Sequence, residues 1–141
     1  MDTIHSSKRN WLEPLKQYAA VGLGGLIGAP LREGVELLVP SLQSFPLATL
    51  IINWSGSFFL AWFYTISIWK WRVPQWFRAG LGTGVIGAYT TFSTFSVETV
   101  KLFHKGKAAE AIVYLVLSLL GGFAFAFLGA RLGGEKKEAA V

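Results

Sequence analysis

Residues 84–96 read GVIGAYTTFSTFS, so Thr90, Thr91, Ser93, Thr94 and Ser96 share one short uncharged stretch with Phe92 and Phe95. Hydroxyls donate and accept hydrogen bonds without carrying charge, and an aromatic ring has a positive edge. Together they can hold a small anion weakly, with no fixed cation to trap it, as conduction requires. Gly84 and Gly87 flank one helical turn just upstream. A helix broken between Gly87 and Thr90 frees backbone carbonyls, which are natural partners of a small cation. Asn53 sits in the middle of another uncharged run and offers two N–H groups, either to an anion or as glue between helices. Tyr114 and Ser118 are four apart, share a helix face and can both donate an O–H. Their plainer reading is an interfacial tyrosine and a serine bonded back to its own helix. Phenylalanines three apart likewise serve as ordinary packing on one helix face.

These groups need elements to position them, and the composition says which. The 141 residues are 52% hydrophobic and 15% charged, with mean hydropathy +0.47, too apolar for a small soluble domain. Lipid is the expected solvent. Pro46–Trp69, Ala79–Val97 and Ala111–Ala130 carry no charge, and each is about as long as the roughly 20 residues a spanning helix needs. Gln17–Leu31 reaches Val39 as a fourth span if Arg32, Glu33 and Glu36 form a salt-bridged helix end. The expectation is an all-α membrane protein of four transmembrane helices, the third broken near Gly87–Thr90. Residues 1–17 are read as a polar tail or surface helix, 18–132 as the transmembrane domain and 133–141 as a solvated tail containing Lys136, Lys137 and Glu138. Trp11, Trp69, Trp71 and Trp76 fall near the boundaries, where amphipathic rings prefer to sit. Small residues at Gly24/Gly28, Gly80/Gly84 and Gly129/Gly133 let helix backbones approach closely, between chains or within one.

Several functions are excluded or demoted. With no cysteine there is no disulfide and no thiol chemistry. His5 and His104 form no cluster that suggests a metal site, and no catalytic constellation is present, so an enzyme is not expected. The net charge of +5 does not point to nucleic acid, because the basic residues flank apolar runs where lipid headgroups lie. Gly82-Thr83-Gly84-Val85-Ile86-Gly87 fits a dinucleotide fingerprint by letter, yet lacks the preceding strand and the acidic ribose partner. Asn53-Trp54-Ser55 is a glycosylation sequon by letter alone, since it lies mid-span. Glu98 ends the third run, and no carboxylate lies inside the three best spans, which argues against a proton-coupled carrier.

Thr90-Thr91-Phe92-Ser93-Thr94-Phe95-Ser96 followed by Glu98, with Gly87 upstream, resembles the Fluc/CrcB fluoride channels. Gly24-Gly25-x-x-Gly28-Ala29-x-x-Arg32 and Asn53-x-x-Gly56 match in order, and the resemblance runs over most of residues 20–130. It departs at Ala88 and Tyr89, where the family commonly has glycine and leucine, at Glu33 after Arg32, and at Pro30. The resemblance implies an antiparallel, dual-topology dimer with two fluoride pores. Phe92 and Phe95 would line them, Asn53 would donate, and Ser93, Thr94, Ser96, Tyr114 and Ser118 would form a polar track. Carbonyls of Gly87 and Thr90 from both chains would hold a structural Na⁺, with Arg32 and Gly56 as structural positions.

The function so implied is a passive, fluoride-selective channel of the plasma (inner) membrane, a multi-pass protein that exports fluoride and confers resistance to it. Its rivals are a small multidrug-type proton antiporter and a non-transporting membrane scaffold. Of thirteen Lys and Arg, nine fall on the side of the N-terminus and four on the other, which favours a cytoplasmic N-terminus. That asymmetry raises an oppositely oriented paralogue as partner, while the intact motifs favour a second copy of the same chain within the lipid bilayer.

Overall fold

The computed structural model describes residues 2–39 and 45–134, with residues 2–10 as backbone alone. The expected loop at 40–45, apart from Phe45, and Lys136, Lys137 and Glu138 lie outside the described residues. The chain is helical throughout: α1 (Asp2–Leu38), α2 (Leu47–Trp69), α3 (Gln75–Ala79), a π-helical segment (Gly80–Ile86), α4 (Gly87–Tyr89), α5 (Phe92–His104) and α6 (Ala108–Gly134). Two of these, α2 and α6, are long and apolar enough to cross a membrane. They correspond to the second and fourth uncharged runs. α1 carries Arg32 and Glu33 beside its apolar stretch, and the third run is split among α3, the π segment, α4 and α5. The residues expected as a polar tail are the first turns of α1, continuous with the rest of that helix.

Two short turns set the helix order. Trp71 donates its amide to the Ile66 carbonyl at 3.0 Å, and Arg72 takes φ 45°, reversing the chain between α2 and α3. Gly106, at φ 73°, does the same between α5 and α6, where a side chain would be strained. Trp69, Trp71 and Trp76 gather exposed around the first of these turns.

Helix contacts are made largely by glycine. A Cβ on Gly24 would meet the backbone of Gly80, Gly84 and Val85, and one on Gly28 would run into the Val85 carbonyl. From the other side, a Cβ on Gly84 would lie 2.7 Å from the Val21 carbonyl. The small-residue faces of α1 and the π segment therefore interlock within one chain. Gly129 and Gly133 do the same against Phe58, Trp62 and Thr65 of α2. The second alternative above, packing within one chain, is the use these pairs find here. The physical reason is simple: the same motif closes whichever backbone reaches it first, and here the partner motif lies in the same chain.

The break falls at the C-terminal edge of the expected Gly87–Thr90 stretch. Gly87 is helical (φ −64°, ψ −36°) and α4 continues to Tyr89; the chain extends only at Thr90 (ψ 158°) and Thr91 (φ −146°, ψ 125°). The glycines loosen the helix into a π segment instead of ending it. The Gly87 amide reaches the Gly82 and Gly84 carbonyls, the longer reach of the first being that of a widened turn. β-branched Thr90 and Thr91, which favour extended backbone, take the break instead.

Candidate functional site

The break is held by α2. Asn53 Nδ2 donates to the Thr91 carbonyl at 2.9 Å, and the Thr91 amide donates to Asn53 Oδ1 at 2.9 Å. This reciprocal pair satisfies two backbone groups that no helix supplies, in a region where leaving them bare is costly. Asn53 thus acts as the interhelical glue considered above. Its amide has a second N–H, to which no acceptor is assigned among the described residues. Buried Gly56, one turn along α2, makes room for the Thr90 methyl, and any side chain there would strike it. Ser55 Oγ donates to the Ile51 carbonyl at 2.7 Å and lies 3.0 Å from the Tyr89 hydroxyl. Since the single serine proton is committed to Ile51, Tyr89 is the donor of that bond. Tyr89, a departure from the family pattern, thereby ties the last residue of α4 to α2.

Beyond the break, Thr91 caps α5. Its Oγ1 accepts from the Thr94 amide at 3.1 Å, and the hydroxyls of Thr94 and Ser93 lie 2.9 and 3.3 Å from it. Ser96 Oγ donates to the Phe92 carbonyl at 2.9 Å. Within one chain, the expected track of Ser93, Thr94 and Ser96 is therefore a cap and a back-bonded serine, with hydroxyl lone pairs still able to take further partners.

Phe92 is 79% exposed and overlooks a cavity of about 250 Å³ that it lines with Asn53, Ser57, Thr90 and Thr91. Phe95 stands behind it, 5.8 Å away between centroids and tilted by 44°. Phe95 in turn packs at 5.2 Å on Tyr114, which is fully buried and touches the edge of Phe45. Asn53, Phe92, Phe95 and Tyr114 thus form one continuous series across α2, α5 and α6.

The far end of this series is a carboxylate. Glu98 accepts from the Tyr114 hydroxyl at 2.8 Å and from Thr49 Oγ1 at 3.0 Å. Thr49 is buried, and its partner lies 49 residues away in sequence, so nothing local announced the pair. Sequence reasoning noticed Glu98 only as the end of a run and missed Thr49. Tyr114, expected to donate to a transported ion, donates its hydroxyl hydrogen bond to Glu98 in this conformation. Ser118 is one turn further along α6, on an apolar groove with Leu119, Gly122 and Phe123, away from the Glu98 cluster.

Outside this series, Arg32 pairs with Glu36 at 3.7 Å along α1, the expected salt-bridged helix end. Gly87 is exposed, and its carbonyl receives the Thr90 hydroxyl at a long 3.4 Å. No group of three or more acidic or histidine side chains able to hold a metal occurs among the described residues. Trp54, in the middle of α2, donates Nε1 to the Leu117 carbonyl at 3.0 Å, stacks on Phe125 and fills the space left by Gly121.

The arrangement gathers an amide, several hydroxyls and two aromatic rings around the helix break. Comparison with known proteins agrees in kind. Residues 19–130 match the family described as CrcB-like protein, Camphor Resistance (CrcB). The chain is 45% identical over 124 residues to "Fluoride-specific ion channel FluC 2" of Geobacillus kaustophilus, covering 86% of this chain and 96% of that protein. It is 45% identical over 118 residues to "Fluoride-specific ion channel FluC 1" of Bacillus cereus, covering 82% of each. A third relative, "Fluoride-specific ion channel FluC 1" of Desulfitobacterium hafniense, is 41% identical over 113 residues, 80% of this chain and 99% of the other. A family match spanning most of the chain, with relatives matched over nearly their full length, places this chain in the CrcB family.

Proposed function

We propose that this chain is a passive fluoride-selective channel that exports cytoplasmic fluoride across the cell membrane, with no chemistry and no energy coupling. The observation that carries the reading is the Asn53 clasp on Thr91, which leaves an amide N–H beside the exposed Phe92 at a cavity mouth. The names of the relatives supply the ion. A negative-inside potential, at about 2.3 kcal/mol per charge per 100 mV, is enough to drive an anion outward through a simple pore. Selectivity would rest on a narrow path whose donors replace the water of fluoride and fit larger halides poorly.

One chain exposes Phe92 and Gly87 on its surface, so a second chain is needed to close the path. An antiparallel pair of copies, or of this chain with an oppositely oriented paralogue, is the assembly in keeping with this. In it α1, α2, α6 and the interrupted α3–α5 stretch would be four membrane crossings within residues 18–132, with the residues before them as a surface helix. A structural Na⁺ fits the donor set. Gly87 is exposed, a Cβ there would find nothing nearer than 3.7 Å, and its carbonyl is weakly engaged. The carbonyls of Gly87 and Thr90 would hold the ion, which would neutralise the carbonyl dipoles left by the break.

The test is fluoride efflux from liposomes containing only the purified chain, read with an electrode, with chloride as control. The expected result is fast fluoride flux and negligible chloride flux, abolished when Phe92 and Phe95 are both changed to Ile. Equal flux of both halides, or full flux in that double variant, would overturn the reading. Flux that returns only on adding a paralogue would assign the heterodimer.

A further inference from the structure

The first turns of α1 precede the region matched by the family and take no part in the site. α1 is one α-helix from Asp2 to Leu38, about 55 Å long at 1.5 Å per residue. The hydrocarbon core of a bilayer is about 30 Å thick. Several turns of α1 must therefore lie outside it.

One face of this helix is set against the π segment. Gly24 and Gly28 lock against the π segment. At 3.6 residues per turn, Trp11, Leu15, Tyr18, Gly22 and Leu26 follow one another on a stripe turned away from those glycines. Trp11 is 76%, Leu15 62%, Tyr18 75% and Leu26 72% exposed, with Leu12 beside them at 51%. Glu13 and Lys16 pair with each other at 2.9 Å off this stripe. At Leu26 the stripe lies within the apolar run of α1, which the proposed four-crossing arrangement sets against lipid. Towards the N-terminus the same stripe changes from leucine to tryptophan and tyrosine, the residue types that settle at the headgroup level. Pro14 lacks an amide proton, so the carbonyl of Asn10 has no helical donor and the helix can turn there.

We propose that residues 2–18 of α1 dock on the bilayer interface, bending at Pro14 so that Trp11, Leu12, Leu15 and Tyr18 enter the headgroup and upper acyl region. The occupant of this apolar stripe is lipid because the stripe is continuous with the lipid-facing side of the same helix. The Glu13–Lys16 pair faces water, as expected for the polar side of an interfacial helix. The segment is then an added membrane contact that the channel core does not require.

The absence of cysteine makes the test direct. An environment-sensitive fluorophore is placed on Leu12→Cys, Leu15→Cys and, off the stripe, Glu13→Cys of the full-length chain in phosphatidylcholine–phosphatidylglycerol vesicles. Nitroxide-labelled lipids serve as quenchers inside the bilayer and iodide as the quencher in water. The expected result is nitroxide quenching about threefold stronger at positions 12 and 15 than at 13, with iodide showing the opposite order. Strong iodide quenching at 12 and 13 alike would overturn the proposal and leave a helix projecting straight into water. Protection of position 12 from both quenchers would also overturn it, assigning the stripe to a second copy of the chain. These readings do not depend on which ion the core conducts; a chain that docks without passing fluoride would refute the channel and leave the docking in place.

Discussion

Two contacts hold the π segment and the break in place, and they are built on opposite principles. Against α1 the contact is made of absent side chains, with Gly24 and Gly28 fitted to Gly80, Gly84 and Val85. Against α2 it is made of directed bonds, with Asn53 clasping the Thr91 backbone and Ser55 receiving Tyr89. The first tolerates no added atom and needs no polar group. The second has spare hydrogen-bonding capacity facing a cavity. Close packing suits a part that only has to stay put, whereas polar satisfaction with something left over suits a part that handles an ion.

The comparison breaks most sharply at Gly28. Gly28→Leu should destabilise the chain by more than about 3 kcal/mol, because the facing atom is a backbone carbonyl that cannot move aside. Thermal unfolding in detergent checks this. Gly25→Ala, one turn away in open space, should instead stabilise by about 0.5–1 kcal/mol through helix propensity. Asn53→Ala comes next. It leaves the Thr91 amide and carbonyl without partners, a loss of about 2–4 kcal/mol, and should also reduce fluoride efflux from liposomes. If Asn53→Ala kept both stability and flux, the contrast between the two contacts would be lost. Tyr114→Phe removes one of the two hydroxyls on Glu98, at about 1.5–3 kcal/mol for a bond to a charged acceptor. The same measurements on Thr49→Val would apportion the remainder. Smallest is Ser96→Ala, within about 0.5 kcal/mol, since its hydroxyl only returns to its own helix. A large loss of flux without loss of stability in Ser96→Ala would sharpen the comparison by moving the ion path onto that hydroxyl.

Much of this was legible in the order of residues. Uncharged runs located Leu47–Trp69 almost to the residue, and Ala108–Gly134 to within a turn at either end. That Thr91 caps α5 was not read from the sequence, although threonine just ahead of a helix is a usual cap. The break was expected near Gly87–Thr90 and falls at the far edge of that stretch, on Thr90 and Thr91, because the missing side chains of the glycines serve close approach and a π turn. Pairings across long separations were invisible. Thr49 with Glu98, Asn53 with Thr91 and Trp54 with Leu117 each join different helices, and no periodicity within one helix encodes which partner it will meet. Asn53 was singled out because a buried amide must bond somewhere, but its target could only come from the fold.

The interlock of α1 with the π segment has a mechanical consequence. Sliding one helix along the other would drive Gly24 and Gly28 off the backbone hollows that receive them and onto side chains such as Leu81 and Val85. The two therefore act like meshed gears with no clearance, transmitting displacement as a unit. Downstream the chain extends at Thr90 and Thr91, and there Asn53 and the hollow at Gly56 fix its path. A displacement of the block, inward of Pro14, would then be handed to α5 through Thr90, beside Asn53 and Phe92.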